Sequence, residues 1–370
     1  MTGCRLQNSM LRRRLSFEAL EDRQMLAVFT VTNLNDAAVT GAGQAPGTLR
    51  QAIFDANALA GADVIQFAGG LSGAVELTIV GDTLVGSSAL LVTSQITIQG
   101  NSNGITLERS LAADEMRLFR VTSAGNLKLE SIMLAGGLVR GANGAAPGLA
   151  GEAGRGGAIL NQGTLEVVAS TLFNNSAIGG NATGAVGGQG IGGAIANDGG
   201  TFTLKNSTLS GNSAVSGTGN MITVSIGGGI HTLNGLTRIY NSTISGNSAA
   251  TGRQLYVLAQ FGTATLELFS TILAQQDVTF NARDVTVLAD TDGQLLVSGA
   301  NNIVRSDVGL THLNSINDDP LLAPLADNGG PTLTRAIPVT SPAINNGSNL
   351  LNLANDQRGS TFSRTIGGAV

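Results

Sequence analysis

The sequence has little charge, few aromatic residues and almost no cysteine. Charged residues make up 12% of the 370 residues, aromatic residues make up 4%, and tryptophan is absent. Lysine occurs only at Lys128 and Lys205, and the net charge is −5, so no basic stripe is available to neutralise nucleic-acid phosphates. The one cysteine, Cys4, excludes a disulfide framework in the body of the chain. No run of about 18 apolar residues occurs, so no transmembrane helix is predicted.

Glycine, small polar residues and β-branched residues are abundant instead. Glycine accounts for 52 residues and proline for only 7, while 42% of the residues are apolar. This apolar fraction is too high for a disordered chain, and the glycines lack the three-residue period of collagen. The composition predicts many short strands joined by tight turns.

A repeat runs through the middle of the chain. Ile159, Ile195 and Ile230 follow one another at steps of 36 and 35 residues. The recurring motifs are Gly-Gly-Ala-Ile at 156–159 and 192–195 with Gly-Gly-Gly-Ile at 227–230, Ser-Thr-Leu or Ser-Thr-Ile at 170–172, 207–209, 242–244 and 270–272, Asn-Ser-Ala at 175–177, 212–214 and 247–249, and a degenerate Ser-Ile-Met at 131–133. Such a period is typical of a solenoid or a propeller. Three strand patterns per unit favour one turn of a β-helix over a four-stranded blade, so we predict an all-β, right-handed parallel β-helix.

Stacked turns should align equivalent side chains along the coil. The predicted inward column comprises Leu172, Leu209, Ile244 and Ile272, and a predicted ladder of side-chain amides comprises Asn175, Asn212 and Asn247. The uneven Gly-rich stretches, such as 141–154 and 179–190, are interpreted as loops that leave one corner of the coil. The paired glycines are interpreted as sites where the backbone bends sharply.

A single short helix is predicted before the repeats. Residues 48–58 match a helix in which Thr48 is the N-cap and Leu49, Ile53 and Phe54 share a face. A lone amphipathic helix before a long series of strands is suited to capping the open end of a solenoid.

The chain divides into three segments. Residues 1–27 carry five arginines without a continuous apolar stretch, and we interpret them as a leader or export segment. Residues 28–300 are predicted to form the β-helix with its N-terminal cap. Residues 301–370 hold five of the seven prolines and are predicted to be an anchor-like segment that continues or caps the helix.

Three stretches resemble known exported proteins. Residues 20–26 resemble the LEPR-XLL leader motif of planctomycete proteins, with Asp22 in place of Pro and Met25 in place of Leu. The repeats resemble those of polymorphic outer-membrane proteins and related β-helix surface proteins. Four ordered blocks resemble the choice-of-anchor Q segment: Asp-Pro-Leu-Leu at 319–322, Asp-Asn-Gly-Gly-Pro-Thr at 327–332, Ser-Pro-Ala-Ile at 341–344 and Asp-Gln-Arg-Gly at 356–359. The resemblance implies a β-helix protein that is extracellular or at the cell surface or outer membrane. It also implies a further strand after Val370, so that the last coil is missing or the chain is a fragment.

Parallel β-helices include polysaccharide lyases and hydrolases, so an enzyme must be considered. Lys128 and Lys205 have no local acidic cluster and are interpreted as outward solubility residues. Asp290 and Asp292 lie in a stretch that lacks the other ligands of a calcium loop and predicts a turn. The pair at 318–319 is expected to cap a turn.

The two histidines and the Gly-rich loop at 151–157 do not form a recognisable site. His231 follows the inward Ile230 and is therefore expected to point outward, where substitution should matter little. Neither His231 nor His312 has a second histidine at ligand spacing. No Lys-Ser or Lys-Thr follows the glycines at 151–157, so they do not match a phosphate-binding loop. The sequence thus predicts no catalytic, metal-binding or cofactor-binding residue and no cofactor.

The leading hypothesis is a non-catalytic structural or adhesive surface protein in which the Gly-rich loops offer a binding edge. Its expected partners are extracellular polysaccharide or cell-envelope components, and nucleic acid is not expected to bind. The alternative is a β-helix lyase or glycoside hydrolase that acts on acidic polysaccharide. A carboxylate cluster beside Lys or Arg in a groove would favour the enzyme, whereas a smooth Thr, Ser and Asn surface would favour the structural role.

Residues 1–27 are predicted to direct the protein out of the cytoplasm without joining the fold. They are Arg-rich and end where strand-like alternation begins at Val28, so they offer no face to pack against the coil. Fractionation of cells that express the chain with and without these residues should find only the full-length form in the envelope or medium. Equal distribution of the two forms would show that this segment is not a leader.

Overall fold

Short strands with alternating inward and outward side chains build the molecule. The computed structural model describes residues 26–221, 223–275, 283–310, 313 and 315–364. Within these ranges the strand Thr164–Val168 is representative, because it buries Leu165 and Val167 and leaves Glu166 half-exposed. Since successive side chains of a strand point to opposite faces, one face of each strand enters the core.

The described residues contain one helix and many strands. In chain order they are β1 (Val28–Val31), α1 (Leu49–Ala58), β2 (Ala62–Phe67), β3 (Gly73–Leu77), β4 (Ser88–Val92), β5 (Gln95–Gln99), β6 (Ile105–Arg109), β7 (Arg117–Val121), β8 (Asn126–Glu130), β9 (Met133–Ala135), β10 (Leu138–Arg140), β11 (Gly154–Arg155), β12 (Ile159–Asn161), β13 (Thr164–Val168), β14 (Thr171–Phe173), β15 (Ser176–Ile178), β16 (Gly190–Ile191), β17 (Ile195–Asp198), β18 (Thr201–Lys205), β19 (Thr208–Ser210), β20 (Ser213–Val215), β21 (Ile230–Leu233), β22 (Gly235–Tyr240), β23 (Thr243–Ser245), β24 (Leu255–Ala259), β25 (Thr263–Phe269), β26 (Ile272–Leu273), β27 (Val285–Ala289), β28 (Gln294–Ala300), β29 (Ile303–Val304), β30 (Asp307–Val308), β31 (Leu325–Ala326) and β32 (Thr334–Arg335).

Three long parallel sheets run along the coil. Sheet A contains β1, β2, β5, β8, β13, β18, β22, β25 and β28, sheet B contains β3, β6, β9, β14, β19, β23, β26 and β29, and sheet C contains β4, β7, β12, β17, β21, β24, β27 and β30. Each complete turn passes through sheets C, A and B in that order, and every strand pairs in parallel with its counterpart in the next turn. The predicted parallel β-helix, with about eight turns, is confirmed.

The predicted inward column is correct except for its last member. Leu172, Leu209 and Ile244 are in register and fully buried in the main core. Ile272, however, pairs with Thr243, and it is Leu273 that continues the column.

A one-residue slip in the motif alignment explains this error. Tyr240 pairs with Phe269, which places Ser270 opposite Asn241, not opposite Ser242. Both corner residues have left-handed backbone, with φ of 51° at Ser270 and 50° at Asn241. The turn from sheet A to sheet B therefore fixes the register. The two Ser-Thr-Ile motifs, at 242–244 and 270–272, do not occupy equivalent positions in the coil.

The predicted asparagine ladder is confirmed. Asn175 Nδ2 donates to Asn212 Oδ1 at 2.9 Å, and Asn212 Nδ2 donates to Asn247 Oδ1 at 2.8 Å. Asn247 Nδ2 then donates to Gln254 Oε1 at 2.8 Å, and Gln254 Nε2 donates to Gln275 Oε1 at 2.8 Å, so two glutamines continue the ladder. All three asparagines are fully buried, so the chain of amides satisfies polar groups that have no access to water.

The paired glycines act as predicted. Gly192 has left-handed backbone with φ of 65°, and a Cβ on Gly193 would overlap the carbonyl oxygen of Gly228 in the next turn. Any larger residue at Gly193 would therefore force the two turns apart.

The Gly-rich stretches are ordered and do not form free loops. They leave the corner between sheets B and C, and we call residues 138–155, 176–191, 213–221 and 223–226 the Gly-rich extension. Its layers stack in register through backbone bonds such as Gly144 N to Asn181 O and Ala182 N to Thr218 O, both 2.8 Å. A Cβ on Gly180 would overlap a carbonyl of the neighbouring layer, so close packing of backbones requires glycine.

Helix α1 begins the solenoid as predicted, with one error in its buried face. The Thr48 side chain accepts a hydrogen bond from Gln51 N, which makes Thr48 the N-cap. Leu49 and Ile53 are buried, but Phe54 is 37% exposed because it lies one residue, or about 100°, away from Ile53 around the helix. The helix packs against β1, β2, β4 and β5 at the N-terminal end of the coil.

The C-terminal segment, residues 315–364, lies along the outer face of sheet B. Gln357 is buried, accepts from Thr208 Oγ1 at 2.7 Å and donates to Thr171 Oγ1 at 2.9 Å. Arg335 Nε donates to Ser210 Oγ at 3.1 Å. The segment thus crosses two adjacent strands of sheet B, β14 and β19. Most of the predicted leader lies outside the described residues, and the division into three segments stays a prediction.

Replacement of Asn212 by Ala should destabilise the fold strongly. The change leaves Asn175 Nδ2 without one acceptor and Asn247 Oδ1 without one donor in a buried site, and each loss costs about 1–3 kcal/mol. We expect the free energy of unfolding to fall by about 2–5 kcal/mol in urea titrations. Asn126→Ala, at a half-buried outward position of sheet A, is the control and should change stability by less than about 0.5 kcal/mol. Equal effects of the two substitutions would contradict a structural role for the ladder.

Candidate functional site

The three sheets differ in what covers their outer faces. The outward residues Leu160, Ala196, His231 and Tyr256 of sheet C are buried, and the apolar residues Ile191 and Ile226 of the Gly-rich extension pack with Tyr256. Thr171 and Thr208 of sheet B are buried beneath the C-terminal segment. In sheet A, by contrast, every outward residue of β5, β8, β13, β18, β22, β25 and β28 is at least partly exposed. Sheet A is therefore the sheet of the described structure whose outer face is open along its whole length, and we call it the open face.

Ion pairs run along this open face. Lys128 Nζ lies 3.0 Å from Glu130 Oε2, Lys205 Nζ lies 2.7 Å from Glu166 Oε1, and Arg238 Nε lies 3.1 Å from Glu267 Oε2. The two lysines point outward as expected, but each has a carboxylate partner. The sequence did not reveal the partner of Lys205, because Glu166 lies 39 residues away and is brought close only by stacking of turns.

An aromatic pair lies at the C-terminal half of the same face. The rings of Tyr240 and Phe269 stack with centroids 5.9 Å apart and an interplanar angle of 13°. Tyr240 Oη donates to Glu267 Oε2 at 2.5 Å, and burial followed by this hydrogen bond raises the pKa of Tyr240 to about 12. We define the aromatic patch as Tyr240, Phe269, Arg238, Glu267 and the 47% exposed Leu296.

The aromatic patch was missed at the sequence level, although a signal for it exists. Residues 236, 238 and 240 alternate with the inward residues of β22, and the same holds for 265, 267 and 269 in β25. A step of 29 residues places Tyr240 beside Phe269 in the paired strands. The alternation could identify the outward residues, but only the register could identify their neighbours.

Two carboxylates face a separate cleft. Glu76 and Glu108 pair in adjacent strands of sheet B and line a cleft of about 680 Å³. Arg109 lines it as well, but its guanidinium donates to the backbone carbonyls of Gly136, Ser110 and Ala113. This arginine therefore holds the backbone and does not pair with either glutamate.

The aspartates considered as possible ligands have local structural roles. Asp290 Oδ1 accepts from the backbone N–H groups of Asp292 and Phe261, as expected for a turn. Asp319 Oδ1 accepts from Leu321 N at 2.9 Å, which is the turn predicted there. His312 lies outside the described residues.

His231 lies on the outer face of sheet C, as predicted, but it is only 4% exposed. It stacks on Tyr256 with ring centroids 5.7 Å apart, and these sheet C residues lie in the row covered by the Gly-rich extension. Burial, together with the positive charge of Arg155, lowers its pKa to about 3. The expectation that substitution of His231 matters little is therefore not supported by its environment.

Comparison with models of protein families, with curated proteins and with solved structures finds no match for this chain. Within the described residues, no helix is long and apolar enough to span a membrane.

Acidification should destabilise the protein through His231. Its folded-state pKa of about 3 lies below the ordinary value of 6.5, so only the unfolded chain binds a proton between these values. The contribution of the neutral imidazole is fully present above pH 6.5 and is lost as the pH falls toward 3. This loss amounts to about 3 kcal/mol between pH 7 and pH 4.

Urea titrations of the wild type and of His231→Phe at pH 7 and pH 4 test this. The difference between the two proteins removes the contribution of all other titrating groups, and the variant should lose about 3 kcal/mol less on acidification. An identical pH dependence in the two proteins would show that His231 is solvated in the fold.

Proposed function

We propose that this chain is a non-catalytic β-helix protein of the cell exterior, and that the open face of sheet A binds extended polysaccharide. The observation that carries the proposal is the selective covering of the coil. Sheets B and C are covered over much of their length by other parts of the chain, whereas the outward residues of sheet A remain accessible along the whole sheet. Nine strands at a spacing of about 4.8 Å give this face a length of roughly 38 Å, enough for several sugar units.

The aromatic patch has the composition of a sugar-binding surface. Phe269 pairs in the next turn with Ala300, which is too small to cover the ring, so one side of Phe269 is available to the apolar face of a sugar. Arg238, Glu267 and Ser298 lie in one row beside it and supply donors and acceptors for hydroxyl groups.

The same contacts favour binding over catalysis. Glu267 accepts from both Arg238 and Tyr240, so its charge is compensated by an ion pair. A glycoside hydrolase requires two carboxyl groups on either side of the scissile bond. The hydroxyl of Tyr240 has a raised pKa, which makes it a poor base for a lyase.

The alternative hydrolase function rests on Glu76 and Glu108. Paired parallel strands lie about 4.8 Å apart, close to the roughly 5–5.5 Å that separates the carboxyl groups of retaining glycosidases. Two negative side chains would repel an acidic polysaccharide, so this cleft is better suited to a neutral glycan than to the acidic substrate expected from the sequence.

Export is part of the proposal. It is supported by the near match of residues 20–26 to the LEPR-XLL motif and by the four anchor-like blocks. Gln357, from one of these blocks, is a central contact of the C-terminal segment with sheet B, so the block has a structural role in the fold.

A panel of immobilised polysaccharides tests binding by the purified protein. Tyr240→Ala and Phe269→Ala should each weaken binding about tenfold, equivalent to about 1.4 kcal/mol, because each removes part of the apolar platform. Phe54→Ala, which removes an exposed ring from helix α1, is the control and should leave binding unchanged. Equal binding by all three variants would refute the sheet A proposal.

Release of reducing ends from neutral and acidic glycans tests the alternative. The wild-type protein should release none. Cleavage that is abolished in Glu76→Gln and Glu108→Gln would replace the proposed function with that of a hydrolase.

A further inference from the structure

A second cleft contains an arginine that is buried without a carboxylate partner. Arg117, at the start of β7, is 1% exposed. Its Nε donates to Arg155 O, and its Nη1 donates to Gly86 O and to Ser88 Oγ. All three acceptors are uncharged, and within the described residues its Nη2 group donates no hydrogen bond and no carboxylate lies at ion-pair distance.

The buried guanidinium keeps its charge at neutral pH. Burial lowers the pKa of Arg117 to about 10, with Asp82 opposing the shift and Arg120 adding to it. Asp82 itself is paired with Arg120, at 3.1 Å, and so compensates Arg117 only in part. The Nη2 group is not among the fully buried polar atoms, so its two N–H donors are available to an anion in the cleft.

The surroundings of Arg117 form a cleft of about 590 Å³, within the roughly 300–1,000 Å³ of small-molecule sites. Arg140 and Arg155 line the cleft together with Arg117, and Glu152 is the one carboxylate among the lining residues. The cleft thus carries an excess of positive charge in a protein whose net charge is −5.

Arg140 and Arg155 can exchange their present carboxylate partners for a ligand anion at a small cost in free energy. Arg140 pairs with Glu115 and Arg155 pairs with Asp198, but both arginines are more than a third exposed. Exposed pairs of this kind contribute about 0–1 kcal/mol, so an anion in the cleft can compete for either guanidinium.

We propose that this cleft is an oxyanion-binding site that takes the carboxylate or sulfate group of a small polar molecule, with Arg117 Nη2 as its fixed donor. Arg117 is held in place by its three hydrogen bonds to the protein, which leave the charged Nη2 group to donate to an anion oxygen. Thr83 and Ser87 line the same cleft and offer hydroxyl groups to the rest of the ligand. The site uses none of the residues of the aromatic patch, so it stands independently of the proposed function.

Calorimetric titration with galacturonate and with galactose tests the site, because the two sugars differ in the carboxylate. Galacturonate should bind the wild-type protein and galactose should not. The double variant Arg140→Ala/Arg155→Ala should raise the Kd for galacturonate at least fivefold, and Arg117→Lys should raise it at least tenfold. Lys128→Ala removes a similarly exposed, paired cation from sheet A and should leave the Kd unchanged.

Sulfate titrations at constant ionic strength test whether a free oxyanion binds the site without a sugar ring. Binding of both sulfate and galacturonate, weakened by the same variants, supports the site. It would also show that the site recognises the anionic group and does not require the sugar ring. Circular dichroism checks that Arg117→Lys is folded. If Arg117→Lys does not fold, the double variant Arg140→Ala/Arg155→Ala alone tests the site. Absence of binding by both probes, or an equal Kd for the double variant and Lys128→Ala, would overturn the proposal.

Discussion

In-register hydrogen bonding between successive turns is the constraint on which this fold depends. Each strand of the three long sheets pairs with its counterparts in the adjacent turns, so every turn must reach the same position at each corner. The chain achieves this with left-handed residues at repeated positions, such as Asn206 and Asn241 between sheets A and B. Asparagine tolerates this backbone better than most residues, and its side chain remains available for local hydrogen bonds. Differences in length between turns are taken up in the loops between strands, whereas a one-residue shift within a strand would move its inward residues to the outer face.

The same constraint explains why buried polar residues recur in the core. The asparagine side chains at the corner that follows sheet B also bond to the backbone of that sheet. Asn212 Nδ2 donates to Leu172 O, and Asn247 Nδ2 donates to Leu209 O, so the amides satisfy backbone groups as well as one another. A ladder of this kind stabilises only a correctly stacked coil, because displacement by one residue would leave each amide unpaired in a dry environment.

The sequence was sufficient to predict the coil, its N-terminal helix and the asparagine ladder, because these depend on short periodic patterns. It was not sufficient to predict which outward side chains are buried, because their burial depends on segments that pack against the outside of the coil. His231 was placed on the correct face, but the cover over it comes from segments without a recognisable periodicity. The slip at Ser270 arose for a similar reason, since motif letters repeat but only the corner geometry fixes the register. Arg238 and Glu267 could be read as outward residues, but their contact depends on which turns are adjacent.

The segments that pack on the outside of the coil determine which of its faces can bind a ligand. A bare β-helix has three outer faces of similar polarity, and nothing intrinsic to the repeat selects one for binding. Here the Gly-rich extension buries an aromatic and apolar row on sheet C, and the C-terminal segment buries a Thr and Ser row on sheet B. This row of Thr and Ser is therefore buried and does not form the smooth polar surface expected of a structural protein. The face that remains accessible carries ion pairs and an aromatic pair, and such a face has fixed charges and a fixed apolar platform. Since the backbone beneath it is held by hydrogen bonds on both sides of most strands, a ligand there would meet a preorganised surface and would not have to order it on binding.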